Sequence, residues 1–189
     1  MQKIGSWFML AAACLFAPAT VAGTTVMTRI IAGGVTIHAT SIVEADAQTL
    51  WSTLTDYNEL PNFVPGMTLS RVVSAPGVHP KLVEQKRDGG ILSLVLPDHV
   101  VMAMDEQPFS RIGFRSVSGW TAKMNGEWLI SGEGPLRLTY RNRIVPVLPP
   151  PPLLTESYVE DEVRQRMDAL VREAERRMRA RRPGKGGGV

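Results

Sequence analysis

Seven apolar side chains near the C-terminus constrain this chain most. Val159, Val163, Met167, Leu170, Val171, Ala174 and Met178 recur at steps of three and four, and they predict a helix from about Glu156 to Arg179. Thr155 or Ser157 can cap it, and Ser157 with Glu160 fits a capping box. Glu156, Glu160, Asp161 and Glu162 crowd its first turns and arginines its last, which complements the helix dipole at both ends. A stripe this long must lie on another apolar surface. Only a sheet supplies one large enough.

The strands of that sheet are legible upstream. Val35 to Val43 alternates, with Val35, Ile37, Ala39, Ser41 and Val43 on one side and Thr36, His38 and Thr40 on the other. Met67 to Ser74 and Lys81 to Arg87 read as the next two, followed by a hairpin signal at Asp88-Gly89-Gly90. Ile91 to Met104 is strongly apolar and broken by Pro97-Asp98, so it reads as two pieces or one bent strand. Arg111 to Ser118 and Met124 to Ser131 follow. Leu136 to Val145 is the cleanest, with Leu136, Leu138, Tyr140, Asn142 and Ile144 opposed to Arg137, Thr139, Arg141 and Arg143. Short turns between successive strands predict an antiparallel meander. Thr24 to Gly34 reads as a lead-in outside it.

From the end of the first predicted strand through the second runs VEADAQTLWSTLTDYNELPNFVPGMTLSRVVS, Val43 to Ser74. Asp46 can cap a first short helix, on which Leu50, Trp51 and Leu54 form an apolar stripe. Pro61 and Pro65 bracket Asn62-Phe63-Val64, so a second helical piece must be short. This segment resembles the opening of the START-like, polyketide cyclase/dehydrase (SRPBCC) superfamily, in its coenzyme Q-binding START branch. The Phe114 to Trp120 run, Met124-Asn125-Gly126-Glu127-Trp128, the Tyr140 strand and the final helix extend the resemblance over roughly Thr36 to Arg179. It implies an α+β helix-grip fold: a curved antiparallel sheet around a long C-terminal helix, with two short helices after the first strand. It also implies a container for a hydrophobic molecule, a lipid or isoprenoid quinone.

The inward faces supply candidates for the lining of such a container. They are Phe63, Leu94, Met102, Met104, Phe114, Trp128, Leu138, Tyr140, Asn142, Met167, Leu170 and Val171. Methionine adapts to irregular shapes, so Met102, Met104, Met124 and Met167 suit a wall that fits a flexible chain. The same residues would serve a packed core. Tyr140, Asn142 and Ser116 are the polar points, and the Asn58 to Gly66 segment with the last helix would form the mouth. The superfamily resembled includes aromatases and cyclases. In that alternative, Tyr140 and Asn142 would orient a hydrophobic, polyketide-like substrate.

Catalytic motifs are sparse. His38, His79 and His99 stand beside no recognisable nucleophile, no metal-ligand spacing occurs, and no glycine loop cradles a phosphate. Asp105-Glu106 at a strand end reads as solvated charge. No cofactor and no metal are expected, and the protein reads as a binder more than an enzyme.

The N-terminus carries one charge at Lys3, an apolar run from Ile4 to Ala17, and Thr20-Val21-Ala22 before a predicted cut near Ala22. Residues 1–22 therefore read as a secretory signal and the protein as exported to the periplasm; an uncleaved membrane anchor is the alternative. Cys14, the single cysteine, would leave with the signal, so the mature chain would form no disulfide. About 160 residues remain, enough for one domain with its own core, placed at 35–180. The net charge of +3 comes from the end of the chain, because Arg172 to Lys185 holds seven basic and two acidic side chains. Without that run and Lys3 the body is slightly acidic, which argues against nucleic acid. The tail, 181–189, is basic and glycine-rich and reads as disordered; contact with anionic headgroups is its one candidate role. Pro149 to Pro152 reads as a stiff spacer between the last strand and the helix.

Overall fold

Eight strands form one sheet in which every neighbour runs antiparallel. They are β1 (Thr25–Ile31), β2 (Gly34–Val43), β3 (Met67–Val72), β4 (Lys81–Arg87), β5 (His99–Gln107), β6 (Arg111–Ser116), β7 (Ala122–Ser131) and β8 (Leu136–Pro146). Their order across the sheet is β1-β2-β8-β7-β6-β5-β4-β3, a meander that β8 closes onto β2. Two α-helices complete the fold, α1 (Ala47–Thr55) and α2 (Glu156–Arg181). This computed structural model describes residues 23–31, 33–89, 98–118, 122–151 and 154–181. Residues 1–22, read above as a signal, most of the tail and residues 90–97, with Leu94, lie outside the described residues. Among the described residues, no helix is long and apolar enough to cross a membrane.

The period-two pattern sets which face is buried. Val35, Ile37, Ala39, Ser41 and Val43 of β2 are buried, and in β8 so are Leu136, Leu138, Asn142 and Ile144. Arg137, Arg141 and Arg143 of β8 are exposed on the other face. The α2 stripe rests on the inner face, with Val159, Met167, Leu170 and Ala174 buried. Asp46 caps α1: the Thr49 N–H donates to its Oδ1 at 2.6 Å, and that bond holds the carboxyl below its ordinary value. Thr155 caps α2, its Oγ1 accepting from the Tyr158 N–H at 3.2 Å.

Four expectations change. The predicted lead-in is β1, an edge strand in register with all of β2 from Thr25↔Thr40 to Ile31↔Gly34. Its polarity does not follow its burial: Met27 and Ile31 are exposed beside Arg29, while Thr28 is buried beside Val26. The second short helix is a single 3₁₀ turn, Leu60–Asn62, as short as the flanking prolines require. The described part of the long apolar strand is β5, beginning at His99. Arg181, assigned to the tail, ends α2, and its Nη1 donates to Thr49 Oγ1 of α1 at 3.0 Å.

The acids of α2 do more than offset a dipole. On the side of β1 turned away from β2, the N–H groups of Thr28 and Ile30 donate to Glu160 Oε1 and Glu156 Oε1, each at 2.9 Å. The Thr24 hydroxyl donates to Asp168 one helical stretch further on. Bare edge N–H groups invite pairing with another chain, and here the helix occupies them. Glu160 is thereby engaged away from the capping box the sequence predicts.

Candidate functional site

Side chains from β2, the 3₁₀ turn and every strand from β4 to β8 meet α2 around one cavity of about 180 Å³. The sheet must wrap around the helix for strands so far apart to reach a common space. The floor is aromatic. Tyr140 lies between Phe114 (ring centres 5.9 Å apart, planes 16° apart) and Trp128 (4.4 Å, 37°). Gly126 makes this possible, because a Cβ there would stand 2.6 Å from Phe114 Cζ and 2.1 Å from the Arg141 carbonyl oxygen. Met102, Met104, Met124 and Met167 add flexible walls, and Val159, Val163 and Leu170 of α2 form the roof.

Three sets of polar groups touch this apolar space. At mid-depth, Asn142 Nδ2 donates to the Tyr140 hydroxyl oxygen at 2.9 Å. Asn142 Oδ1 is buried without a partner among the described residues, and Tyr140 retains its own O–H to donate. Burial pushes the Tyr140 hydroxyl above its ordinary value, against the pull of Arg166 and Arg87. At one end, Tyr57 donates to Glu106 Oε1 at 2.8 Å. Lys81 Nζ donates to the same carboxylate at 2.8 and 3.0 Å and stands 5.2 Å from the Tyr57 ring centre. Desolvation, reinforced by Glu106, raises the Tyr57 hydroxyl strongly.

The third set lies where the start of β3, the end of β4 and α2 converge. Gly66 has φ +69°, and a Cβ there would stand 2.7 Å from Asp88 Oδ1 and 3.4 Å from Arg166 Nη2. Asp88 N–H donates to the Gly66 carbonyl at 3.0 Å. A second, polar hollow of about 250 Å³ adjoins the cavity here and shares Pro65, Gly66, Arg87 and Arg166 with it. Asp88, Tyr158 and Glu162 line the hollow alone. Arg166 donates to Glu162 at 3.2 Å. Arg87 is pushed down to about 10, first by burial and then by the like charge of Arg166.

Of the candidate lining residues, Met102, Met104, Phe114, Trp128, Tyr140, Asn142, Met167 and Leu170 border the cavity. Leu138 is wholly buried in the core instead, and Val171 packs against that core. Phe63 faces away, its ring 5.6 Å below the Arg177 guanidinium. Ser116 is spent on the backbone, accepting from the Met124 N–H at 2.9 Å. Glu106, expected to be solvated, is tied to Tyr57 and Lys81, whereas Asp105 pairs on the outer face with Arg111 at 3.2 Å. None of the three histidines borders the cavity. Arg87, Arg166 and Tyr57 escaped the sequence reading. For Arg166 a signal existed: it stands three residues after Val163 and four before Leu170, on the apolar stripe itself.

The model of a known family, described as polyketide cyclase / dehydrase and lipid transport, matches residues 43–171. The chain belongs to this family. Its resemblance to solved structures is one of fold. A STAR-related lipid transfer protein fragment from Xanthomonas axonopodis is 15% identical with a TM-score of 0.61, over 80% of this chain and 93% of that one. The Zhui aromatase/cyclase from Streptomyces sp. R1128 is 16% identical with a TM-score of 0.55, over 81% and 98%. A START superfamily protein from Mycobacterium smegmatis is 16% identical with a TM-score of 0.56, over 77% and 97%. No curated protein matches the chain in sequence. The fold is the helix-grip fold of START-like proteins, which holds hydrophobic ligands, and the neighbours include both lipid-transfer proteins and cyclases.

Proposed function

We propose that this protein takes a hydrophobic small molecule, a lipid or isoprenoid quinone-like compound, into the cavity and carries it unchanged. One observation supports the carrier over the cyclase. The ionisable groups bordering the cavity among the described residues are Tyr57, Tyr140, Arg87 and Arg166. Both tyrosines are raised above their ordinary values and Arg87 is pushed down only to about 10, so these three are not poised to exchange a proton at neutral pH. Apolar burial supplies the affinity, at roughly 25 cal/mol per Å².

A second reading rests on the Tyr140–Asn142 pair. An O–H donor beside an unpartnered amide oxygen could orient a reactive chain, as a cyclase requires. Tyr140→Phe separates the two. A cyclase loses turnover with its fold intact, and a carrier retains uptake of an apolar dye.

The reading includes export, supported by the residue pattern of 1–22. It also includes peripheral contact of the basic tail with anionic lipid. N-terminal sequencing of the exported product tests the first, and vesicle binding after deletion of residues 182–189 tests the second. The central test is organic extraction of the purified protein followed by mass spectrometry. A single hydrophobic compound near one per protein is the expected result. An empty extract together with no uptake of N-phenyl-1-naphthylamine would overturn the proposal.

A further inference from the structure

Resting on that reading, we propose that the cavity selects an amphiphile with an anionic head, a carboxylate or a phosphate, held between Arg87 and Arg166. The cavity and the polar hollow meet at these two side chains. They are the charged groups that border the apolar space among its described lining residues. A cavity of about 180 Å³ is close to the roughly 150 Å³ that accommodates benzene, and well below the roughly 300 Å³ at which drug-sized sites begin. A ligand longer than that must therefore reach the arginines at the border with the hollow.

Arg87 belongs to the inner face of β4, in line with Val83 and Gln85. Its acidic neighbours, Asp88 and Glu162, act on it at a distance, and among the described residues it is within ion-pair reach of no carboxylate. A cation withdrawn from water without a paired anion is costly, and a ligand anion would offset that cost. Glu162 already engages Arg166, and with Asp88 it lines only the outer hollow. An anionic head must therefore lodge inward of both acids, where positive charge dominates. Tyr140 feels both arginines and can donate its O–H from deeper in the same space. A neutral quinone head would leave Arg87 without a counter-charge.

The test is displacement of the neutral dye N-phenyl-1-naphthylamine by octanoate, octyl phosphate and octanol, which share one tail. At least one of the anions should displace the dye at a concentration roughly tenfold or more below octanol, the scale of a charge-assisted hydrogen bond. Whichever anion binds more tightly names the head. Arg87→Met should abolish that preference and leave octanol unchanged. Octanol equal to both anions on the unmodified protein would overturn the proposal even if the variant did not fold. A preference that survives Arg87→Met would overturn it as well. Dye uptake displaced only by octanol would sink the anionic head and spare the carrier, whereas no dye uptake at all would sink both.

Discussion

Two polar clusters border the same apolar cavity and are built on opposite plans. Tyr57, Glu106 and Lys81 satisfy one another within 3.0 Å, leaving nothing for a ligand. Tyr140 and Asn142, with Arg87 and Arg166 beyond them, keep an amide oxygen unpartnered and a cation without a bound carboxylate among the described residues. Burial alone cannot distinguish a structural polar group from a binding group, since both clusters are withdrawn from water. Their leftover hydrogen-bonding capacity does. The closed cluster fixes the 3₁₀ region and β4 against β5, and the open one waits for a partner.

Breaking the closed cluster should give the largest loss of stability. In Glu106→Ala the Tyr57 hydroxyl stays buried without an acceptor, while Lys81, which is partly exposed, turns to water. Stability should fall by about 2 kcal/mol in urea unfolding, with dye affinity unchanged among the folded molecules. A drop in affinity larger than the loss of stability explains would erase the contrast between the clusters. Blocking the space comes next. Val163→Trp places a large ring on the α2 roof and should weaken dye binding by roughly tenfold or more, with stability within about 1 kcal/mol of the parent. Undiminished binding would mean that the dye lodges elsewhere.

These differences bear on what the sequence disclosed. The α2 stripe and the alternation of β2 and β8 set out the fold, because apolar burial imposes a period that composition preserves. Most of the cavity's methionines and aromatics were legible for the same reason. β4 was not. Its inner face reads Lys81, Val83, Gln85, Arg87 and its outer face Leu82, Glu84, Lys86, so polarity does not separate the two sides. A strand that puts charge into a cavity hides which of its faces points inward. Leu138 misled in the opposite sense, since periodicity identifies the inner face but not which part of it lines open space. β1 escaped because its turned-away N–H groups are satisfied by Glu156 and Glu160, acids more than a hundred residues later.

Asn142→Leu opposes the clusters most sharply, because stability and binding should move in opposite directions. It removes a buried acceptor that has no donor, so stability should hold or rise by up to about 1 kcal/mol. Affinity for octanol, whose O–H can donate to Asn142 Oδ1, should fall about fivefold as that acceptor disappears. The outcome that would refute an open cluster is a clear loss of stability with affinity intact.

The smallest effect involves a third cluster, remote from the cavity, which serves as a control. Glu173 accepts from Arg176 Nε and Arg177 Nε, both at 2.7 Å, and Arg177 also reaches Asp56 at 3.0 Å, clamping α2 to the end of α1. The arginines, Arg176 foremost, hold the Glu173 carboxyl down to about 2 from an ordinary 4.5. A depressed carboxyl stabilises the fold above its unfolded value, so this contribution is complete above pH 4.5 and lost as pH falls toward 2. Solvent around the exposed Arg176 limits it to about 1 kcal/mol or less. Glu173→Gln should flatten the acid limb of the stability profile by that amount and leave dye and octanoate affinity at pH 7 unchanged. If affinity fell with this clamp, the mouth and the far end of α2 would be mechanically coupled. The open cluster would then owe part of its behaviour to how firmly the helix is held, and not only to its unmet hydrogen bonds.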